Sequence, residues 1–82
     1  MKYIVINNRD LEIPIIFSDL LPHRDVAGDK EVVSAGECSF YVSSGAGKDV
    51  DKVKVSVWGK SVGLNVLSRK EDSLLIEKCF GY

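Results

Sequence analysis

The sequence predicts an α+β fold, a mostly antiparallel sheet of about five strands with one C-terminal helix packed on one face. Short runs that alternate apolar and polar residues recur as far as Leu67, which is typical of strands with one buried face. Clusters of Asn, Asp, Gly and Ser separate these runs. After Leu67 the apolar period lengthens to about 3.6 residues, which indicates a helix.

Length and composition indicate one small globular domain spanning residues 1–82. Hydrophobic residues make up 45% of the chain and charged residues 28%, which argues against intrinsic disorder. The formal net charge of −1 supplies no general attraction to nucleic acid or to an anionic membrane. No apolar run approaches the roughly 20 residues of a membrane-spanning helix, so we expect a cytoplasmic protein that does not bind membranes.

A hairpin is predicted at the start of the chain. Lys2–Ile6 and Leu11–Phe17 are rich in β-forming residues, and residues 7–10 (NNRD) supply the turn between them. Pro14 cannot donate a backbone hydrogen bond, so the second strand is expected at a sheet edge. Because exposed edges pair with other chains, Leu11–Phe17 is one candidate contact for a homodimer or a partner.

The pattern in the middle of the chain is weaker. A short helical turn or loop is predicted near residues 19–28, opened by Pro22 and ended by Gly28. Two short strands follow, Glu31–Ser34 and Glu37–Ser43, and the Ala-Gly between them is expected to break the run. In the second strand three residues are predicted to face inward, namely Cys38, Phe40 and Val42.

The stretch Lys52–Leu67 predicts its own pairing partner. With Gly59-Lys60 as a two-residue loop of type II′, one face carries only apolar residues. The facing pairs are Val57 with Val62, Val55 with Leu64, and Val53 with Val66. The other face carries Trp58, Ser56 and Lys54, so we expect a hairpin with one dry and one wet side.

The C-terminal segment predicts a helix. Ser68 followed three residues later by Glu71 matches a capping box, and Gly81 ends the apolar pattern. The apolar stripe of this helix comprises Leu75, Ile76, Cys79 and Phe80. We expect the stripe to pack on the inner valines of the predicted hairpin.

The two cysteines, Cys38 and Cys79, occupy positions that the pattern assigns to the core. We expect two buried free thiols that act as small hydrophobic side chains rather than a disulfide. One histidine with two scattered cysteines does not supply the ligand spacing of a zinc site, so neither a metal nor a cofactor is expected.

Motifs that would carry catalysis are weak. Gly45-Ala46-Gly47-Lys48 resembles part of a phosphate-binding loop, but Val42 and Asp49 stand where that motif needs glycine and Ser or Thr. We interpret this segment as a plain loop. His23 would act as a general base only with a carboxylate and a nucleophile in reach, and the sequence gives no such geometry. We therefore expect a protein that is not an enzyme.

Trp58 and Tyr41 are expected on the solvent side of the sheet, with Lys54 and Lys60 around them. Aromatic residues dominate binding hot spots, so these four residues are the predicted partner-binding site. The predicted function is a non-catalytic interaction module that binds a protein partner, or a second copy of itself as a homodimer, through this face or an edge strand.

Three other functions stay open. A phage-borne inhibitor of a host complex would mimic nucleic acid through four acidic residues, namely Asp19, Asp25, Asp29 and Glu31. A single-stranded nucleic-acid binder would stack bases on Trp58 and Tyr41 while lysines contact phosphates, which the near-neutral charge disfavours. A small enzyme that uses His23 is the least favoured.

Overall fold

The computed structural model describes the backbone of residues 1–44 and 51–79 and the side chains of residues 1–42 and 53–79. In chain order its elements are β1 (Lys2–Asn8), β2 (Leu11–Phe17), α1 (His23–Ala27), β3 (Val32–Ser44), β4 (Asp51–Trp58), β5 (Lys60–Ser61), β6 (Val66–Leu67) and α2 (Glu71–Lys78). Within these ranges the main sheet has four antiparallel strands in the order β2-β1-β3-β4, and β5 and β6 form a small second sheet. The predicted α+β class, with the C-terminal helix on the sheet, is confirmed.

The predicted N-terminal hairpin and helical turn are both present. The two hairpin loop residues, Arg9 and Asp10, have φ angles of 53° and 65°, the pattern of a type I′ turn that matches the strand twist. β2 lies at an edge of the sheet, as predicted from Pro14, which has no backbone N–H to donate to a second neighbouring strand. α1 follows Pro22 and ends at Gly28, whose φ of 56° favours glycine.

β3 corrects the prediction of two strands broken at Ala35-Gly36. The chain runs through both residues as one strand, and the irregularity lies earlier, where Val33 is the extra residue of a bulge between the partners of Val5 and Ile6. The small residues serve packing instead of a turn, because Ala35 is fully buried and Gly36 lies against the end of β4.

The predicted hairpin over Lys52–Leu67 is wrong. β4 pairs with β3 in a register that places Trp58 opposite Glu37. The segment after Gly59 folds back on itself, with Ser61 opposite Val66. β3 offers β4 eight paired positions, so the non-local partner buries more of the strand than the local one would.

Gly59 is a crossing point rather than a hairpin turn. With a φ of 82°, it leads the chain away from β4 and into the small β5–β6 sheet, which contacts β3. Gly36 allows the close approach, because a Cβ there would overlap the carbonyl oxygen of Trp58. Ser68 joins the two ends of the segment 59–68, since its backbone N–H and its hydroxyl donate to the Gly59 carbonyl at 3.1 and 2.9 Å.

The sheet is covered on both faces near β1. Tyr3 and Val5 belong to a buried cluster with Ile76 of α2, on the side that we name the α2 face. Ile4 points the opposite way and packs with Ala27 of α1, on the side that we name the α1 face. The α1 face is also covered by the β5–β6 sheet, so one short helix and one small hairpin protect the side that α2 leaves open.

The predicted inner face is therefore correct for β4 and wrong beyond it. Val55 and its neighbours Val53 and Val57 lie on the α2 face. Leu64 and Val66 pack on the α1 face instead, and Val62 is 81% exposed. The six residues do not form one surface under α2.

α2 is fixed to the sheet through the buried carboxylate of Asp72. The Tyr3 hydroxyl donates to Asp72 Oδ2 at 2.6 Å, and the Arg69 backbone N–H donates to the same oxygen at 2.9 Å. The Arg69 guanidinium lies 2.9 Å from Asp72 Oδ1 and 2.9 Å from Glu12 Oε1. One carboxylate thus connects the start of α2 to β1 directly and to β2 through Arg69.

The predicted capping box is wrong. Ser68 binds Gly59, and Lys70 precedes α2 without a side-chain cap, while Asp72 accepts the Arg69 N–H. In the predicted stripe Ile76 is buried and Leu75 is partly buried, whereas Cys79 is exposed. Phe80 and the predicted stop at Gly81 lie outside the described residues.

The pKa values of Tyr3 and Glu12 are shifted in the Asp72 network. Burial, followed by the hydrogen bond to Asp72, raises the pKa of Tyr3 above its usual value. The hydrogen bond from Arg69 lowers the pKa of the Glu12 carboxyl. Because the folded-state pKa of Glu12 is lowered, its contribution to stability is present above the unfolded pKa and is lost as the pH falls through the folded one.

Tyr3→Phe is expected to lower the free energy of unfolding by about 1.5–3 kcal/mol, because it removes a buried hydrogen bond to a charged acceptor. Urea unfolding followed by circular dichroism measures the change. Tyr41→Phe makes the same chemical change on a side chain that is 53% exposed and is expected to alter stability by less than about 0.5 kcal/mol. Equal effects of the two substitutions would contradict the role of the Asp72 network.

Gly36→Ala is expected to destabilise the fold by about 1–3 kcal/mol, because the new Cβ would force β3 and the end of β4 apart. Gly63→Ala is the matched control, since its Cβ would meet only the Arg24 Cβ at 3.9 Å. The control is expected to be neutral or slightly stabilising. Thermal unfolding of both variants compares them, and a Gly63 variant as unstable as the Gly36 variant would count against the crossing.

Ser34→Ala is expected to leave stability unchanged or to raise it by up to about 1 kcal/mol, because the buried Ser34 hydroxyl has no hydrogen-bond partner within the described residues. Ser61→Ala provides the contrast, since the buried Ser61 Oγ accepts the Leu64 N–H at 3.3 Å. That variant is expected to lose about 1 kcal/mol in the same denaturant series. Destabilisation by Ser34→Ala alone would contradict this assignment.

Candidate functional site

The candidate site is the part of the α1 face that lies beyond α1 and the β5–β6 sheet. On β3 and β4 the residues of this side alternate with the buried ones, and the register sets them opposite one another. The facing pairs are Glu37 with Trp58, Ser39 with Ser56, and Tyr41 with Lys54. We name these six residues the outer face.

The two aromatic residues of the outer face are both accessible. Tyr41 is 53% exposed and Trp58 is 47% exposed, with the exposed Ser39 and Ser56 between them. Tyr41 is opposite Lys54, four residues from Trp58 along β4, which separates the two aromatic positions by roughly 13 Å. The sequence prediction that Trp58 and Tyr41 share the solvent side of the sheet matches this geometry, and their role in binding stays a prediction.

Charges on the outer face are balanced. Lys54 lies directly across from Tyr41, and Glu37 lies directly across from Trp58. Tyr41 therefore faces a positive charge and Trp58 a negative one. Lys60 is exposed but belongs to β5, in the small second sheet. Lys48 and the side chain of Lys52 lie outside the described residues.

A second accessible apolar area lies at the end of the β3–β4 pair that carries Tyr41 and Lys54. Phe40, Tyr41, Val42 and Val53 line an open groove of about 310 Å³ whose surface is almost wholly apolar. Val42 is 65% exposed, which corrects the prediction that it is an inward core residue. Its position on the strand alternates correctly with Tyr41, but the eight-residue α2 covers Val55 rather than the strand end. Sequence alternation could not reveal where that cover stops.

His23 is a packing residue rather than an exposed base. It is only 9% exposed, its Nε2 donates to the Gly36 carbonyl at 2.8 Å, and its ring meets Phe17 edge-on with centroids 5.4 Å apart. In the described part of the chain no hydrogen bond or ion pair joins His23 to Asp19, Asp25 or any other carboxylate. The geometry does not assemble the acid–base pair that the sequence left open.

The two cysteines have different environments. Cys38 is a free, fully buried thiol, as expected, and burial raises its pKa, which disfavours the reactive thiolate. Cys79 is also free but exposed, which corrects the prediction that it is buried, because it follows the last residue of α2. Neither cysteine contacts His23 through any hydrogen bond of the described residues.

The described residues offer little that would hold a metal or a phosphate. They contain no group of three or more His, Cys, Asp or Glu arranged to hold a metal ion. The loop Gly45-Ala46-Gly47-Lys48 lies outside the description, so the prediction of a plain loop is untested. The four acidic residues of the predicted nucleic-acid mimic, Asp19, Asp25, Asp29 and Glu31, are all exposed. Neither helix of the described chain has the length and apolar character needed to cross a membrane.

No protein-family model, curated protein or solved structure with which the chain was compared matches it.

Proposed function

We propose that this protein is a non-catalytic interaction module that binds a protein partner through the outer face. The observation that carries the proposal is the pair Tyr41 and Trp58, two large aromatic side chains about half exposed on one side of a regular antiparallel strand pair. Aromatic side chains of this kind supply much of the binding energy in protein interfaces while losing little conformational freedom.

The backbone that carries the outer face is rigid, which favours a binding role. β3 and β4 pair without interruption from Glu37–Trp58 to Ser44–Asp51, so the backbone under the outer face is fixed by a continuous ladder. A preformed surface does not have to be ordered when the partner binds, which reduces the entropic cost of association. Ser39 and Ser56 between the aromatic residues leave room for a partner side chain to descend onto the sheet.

Lys54 and Lys60 complete the proposed site at its margin. Lys54 is directly opposite Tyr41 in the strand register, and a lysine across from an aromatic residue can pack its methylenes on the ring while its ammonium stays in water. Lys60 follows Trp58 by two residues and is exposed. Charges at the margin of an interface tune the rate and selectivity of association more than its strength.

A protein partner fits the charges of the outer face better than nucleic acid does. Stacking on Tyr41 and Trp58 with Lys54 opposite Tyr41 resembles a single-strand binding surface, but Glu37 lies directly across from Trp58 and would repel a phosphate backbone there. Binding of a short labelled oligonucleotide that weakens steeply with salt would favour the nucleic-acid alternative. A homodimer through the same face is the other alternative, which a solution mass measurement separates.

The double variant Tyr41→Ala/Trp58→Ala is expected to lose the partner while keeping the fold. We expect each truncation to weaken binding by roughly tenfold or more, as for aromatic hot spots. Quantitative affinity purification and mass spectrometry of the tagged protein from its native host measure the loss. The chain contains a single tryptophan, so binding of the purified partner should also shift the fluorescence emission of Trp58 in the otherwise unchanged protein.

Val62→Ala is the matched control, because Val62 is 81% exposed on the small hairpin and lies outside the outer face. Circular dichroism should show an unchanged fold in both variants. Proteins that the control retains and the double variant loses would support the proposal. Retention of every specific partner by the folded double variant would rule the outer face out.

A further inference from the structure

β4 has a free edge, and one of its backbone groups is already occupied by a side chain. In the described sheet β4 pairs with β3 on one side and with no strand on the other. The Val55 N–H donates to Glu77 Oε2 of α2 at 3.1 Å. That bond shows that the Val55 backbone points away from β3, toward the free edge. The Glu77 carboxylate thus occupies the place that a carbonyl of a neighbouring strand would take.

The alternation of an antiparallel strand extends this orientation to two more residues. N–H and C=O of Val53 and Val57 point the same way as those of Val55, because successive residues alternate between the two edges. The hydrogen bonds found among the described residues give the outward N–H groups of these valines one partner, Glu77 at Val55. Among the described residues, nothing occupies the outward groups of Val53 and Val57, which a further strand could therefore use.

The sequence of β4 is complementary to itself in one antiparallel register. With Val55 opposite Val55 of a second copy, Val53 meets Val57 and Lys54 meets Ser56. The three valines are the residues whose backbone groups point outward, so each pairing would be a hydrogen-bonded one. Of the two neighbouring registers, the one centred on Lys54 sets Lys54 against Lys54, and the repulsion of like charges disfavours it. The register centred on Ser56 sets Val55 against Val57, whose N–H groups both point outward, but leaves Val53 without a valine partner.

The neighbouring surface of α2 fits the same arrangement. A two-fold axis through the Val55 pair sets both copies of α2 on the same face of a continuous sheet. Leu74 is 62% exposed and precedes Glu77 by three residues, so it lies on the side of α2 that points to the β4 edge. Two copies of Leu74 would face each other across the axis and gain apolar contact.

Glu77 opposes this pairing in two ways. It occupies the N–H of Val55, the residue at the centre of the register. Pairing would also bring the two Glu77 carboxylates close to the two-fold axis, where they repel each other and lose water.

We propose that the free edge of β4 is a self-pairing surface for a second copy of this chain, held closed by the Glu77 carboxylate. Displacement of Glu77 opens the edge and yields an eight-stranded sheet through two copies of β4. Edge pairing uses the backbone of β4 and leaves Tyr41 and Trp58 uncovered, so of the outer face it involves only the β4 residues Lys54 and Ser56, which would lie opposite each other across the axis.

Glu77→Ala is expected to form a dimer at concentrations where the unchanged protein is monomeric, with a dissociation constant at least tenfold lower. Sedimentation equilibrium of both proteins over a range of concentrations measures the constant. Glu77→Gln removes the charge but keeps an acceptor for Val55, so it should dimerise less than Glu77→Ala and more than the unchanged protein. Glu71→Ala, which removes an exposed carboxylate at the other end of α2, is the matched control and should stay monomeric.

The register is tested by charges at Ser56 in the Glu77→Ala background. Because Lys54 faces Ser56 twice across the two-fold axis, Ser56→Glu should tighten the dimer by about two- to tenfold, and Ser56→Lys should weaken it by a similar factor. Tyr41→Ala should leave the dimer unchanged, which separates edge pairing from association through the outer face. Circular dichroism verifies the fold of each variant.

Several results would overturn the proposal. A folded Glu77→Ala variant that stays monomeric as its concentration is raised would show that the edge does not pair. An unchanged protein that dimerises as strongly as Glu77→Ala would show that Glu77 does not hold the edge closed. Equal effects of Ser56→Glu and Ser56→Lys, or loss of the dimer with Tyr41→Ala, would place the contact elsewhere.

Discussion

The rest of this fold depends on the contacts that the buried carboxylate of Asp72 makes with Tyr3 and Arg69. A charge without exposure is tolerated only where it is paired and fully hydrogen-bonded, and Tyr3 together with Arg69 meets that condition. Arg69 in turn holds Glu12 of the edge strand β2. The start of α2 is thereby anchored at β1 and β2, while its last turn reaches β4 through Glu77. One helix of eight residues spans the sheet because its two ends are fixed to different strands.

The position of the outer face follows from how the other side is covered. After Gly59 the chain crosses β3 at Gly36, where the absence of a side chain permits contact with Trp58 and Ser68. The β5–β6 sheet and α1 then cover the side of the sheet next to β1 and the beginning of β3. The later half of β3 and its partner β4 extend beyond this cover. Tyr41 and Trp58 are accessible because, among the described elements, α1 and the β5–β6 sheet pack on the other part of this side.

Sequence patterns predicted the features that are set by residues close together in the chain. A turn within residues 7–10, the α1 boundaries at Pro22 and Gly28, and the alternation along β4 could all be predicted from adjacent residues, and the structure narrows the turn to Arg9-Asp10. The pairing of β4 could not, because three apolar pairs in the local hairpin looked as favourable as the longer pairing with β3. Asp72 beside Glu71 is equally well explained as a charge in the first turn of a helix. Its burial against Tyr3, 69 residues away, is a tertiary property that no spacing in the sequence indicates. The outer face was predicted in part, since the side of Tyr41 and Trp58 follows from alternation, whereas their alignment with Lys54 and Glu37 requires the register.

The two edges of the main sheet are protected by different chemistry. At β2 the protection is covalent, because Pro14 has no N–H to offer to an added strand. At β4 it is a side-chain contact, in which Glu77 from another element covers the Val55 N–H. A missing donor cannot be restored, whereas a carboxylate on a helix surface can rotate away and expose the donor that it covered. Since no described residue binds the backbone groups of Val53 and Val57 on the same side, the β4 edge combines one displaceable side-chain contact with backbone groups that a further strand could use. Of the two edges, β4 is therefore the one that can change from covered to open for pairing without a change in the fold.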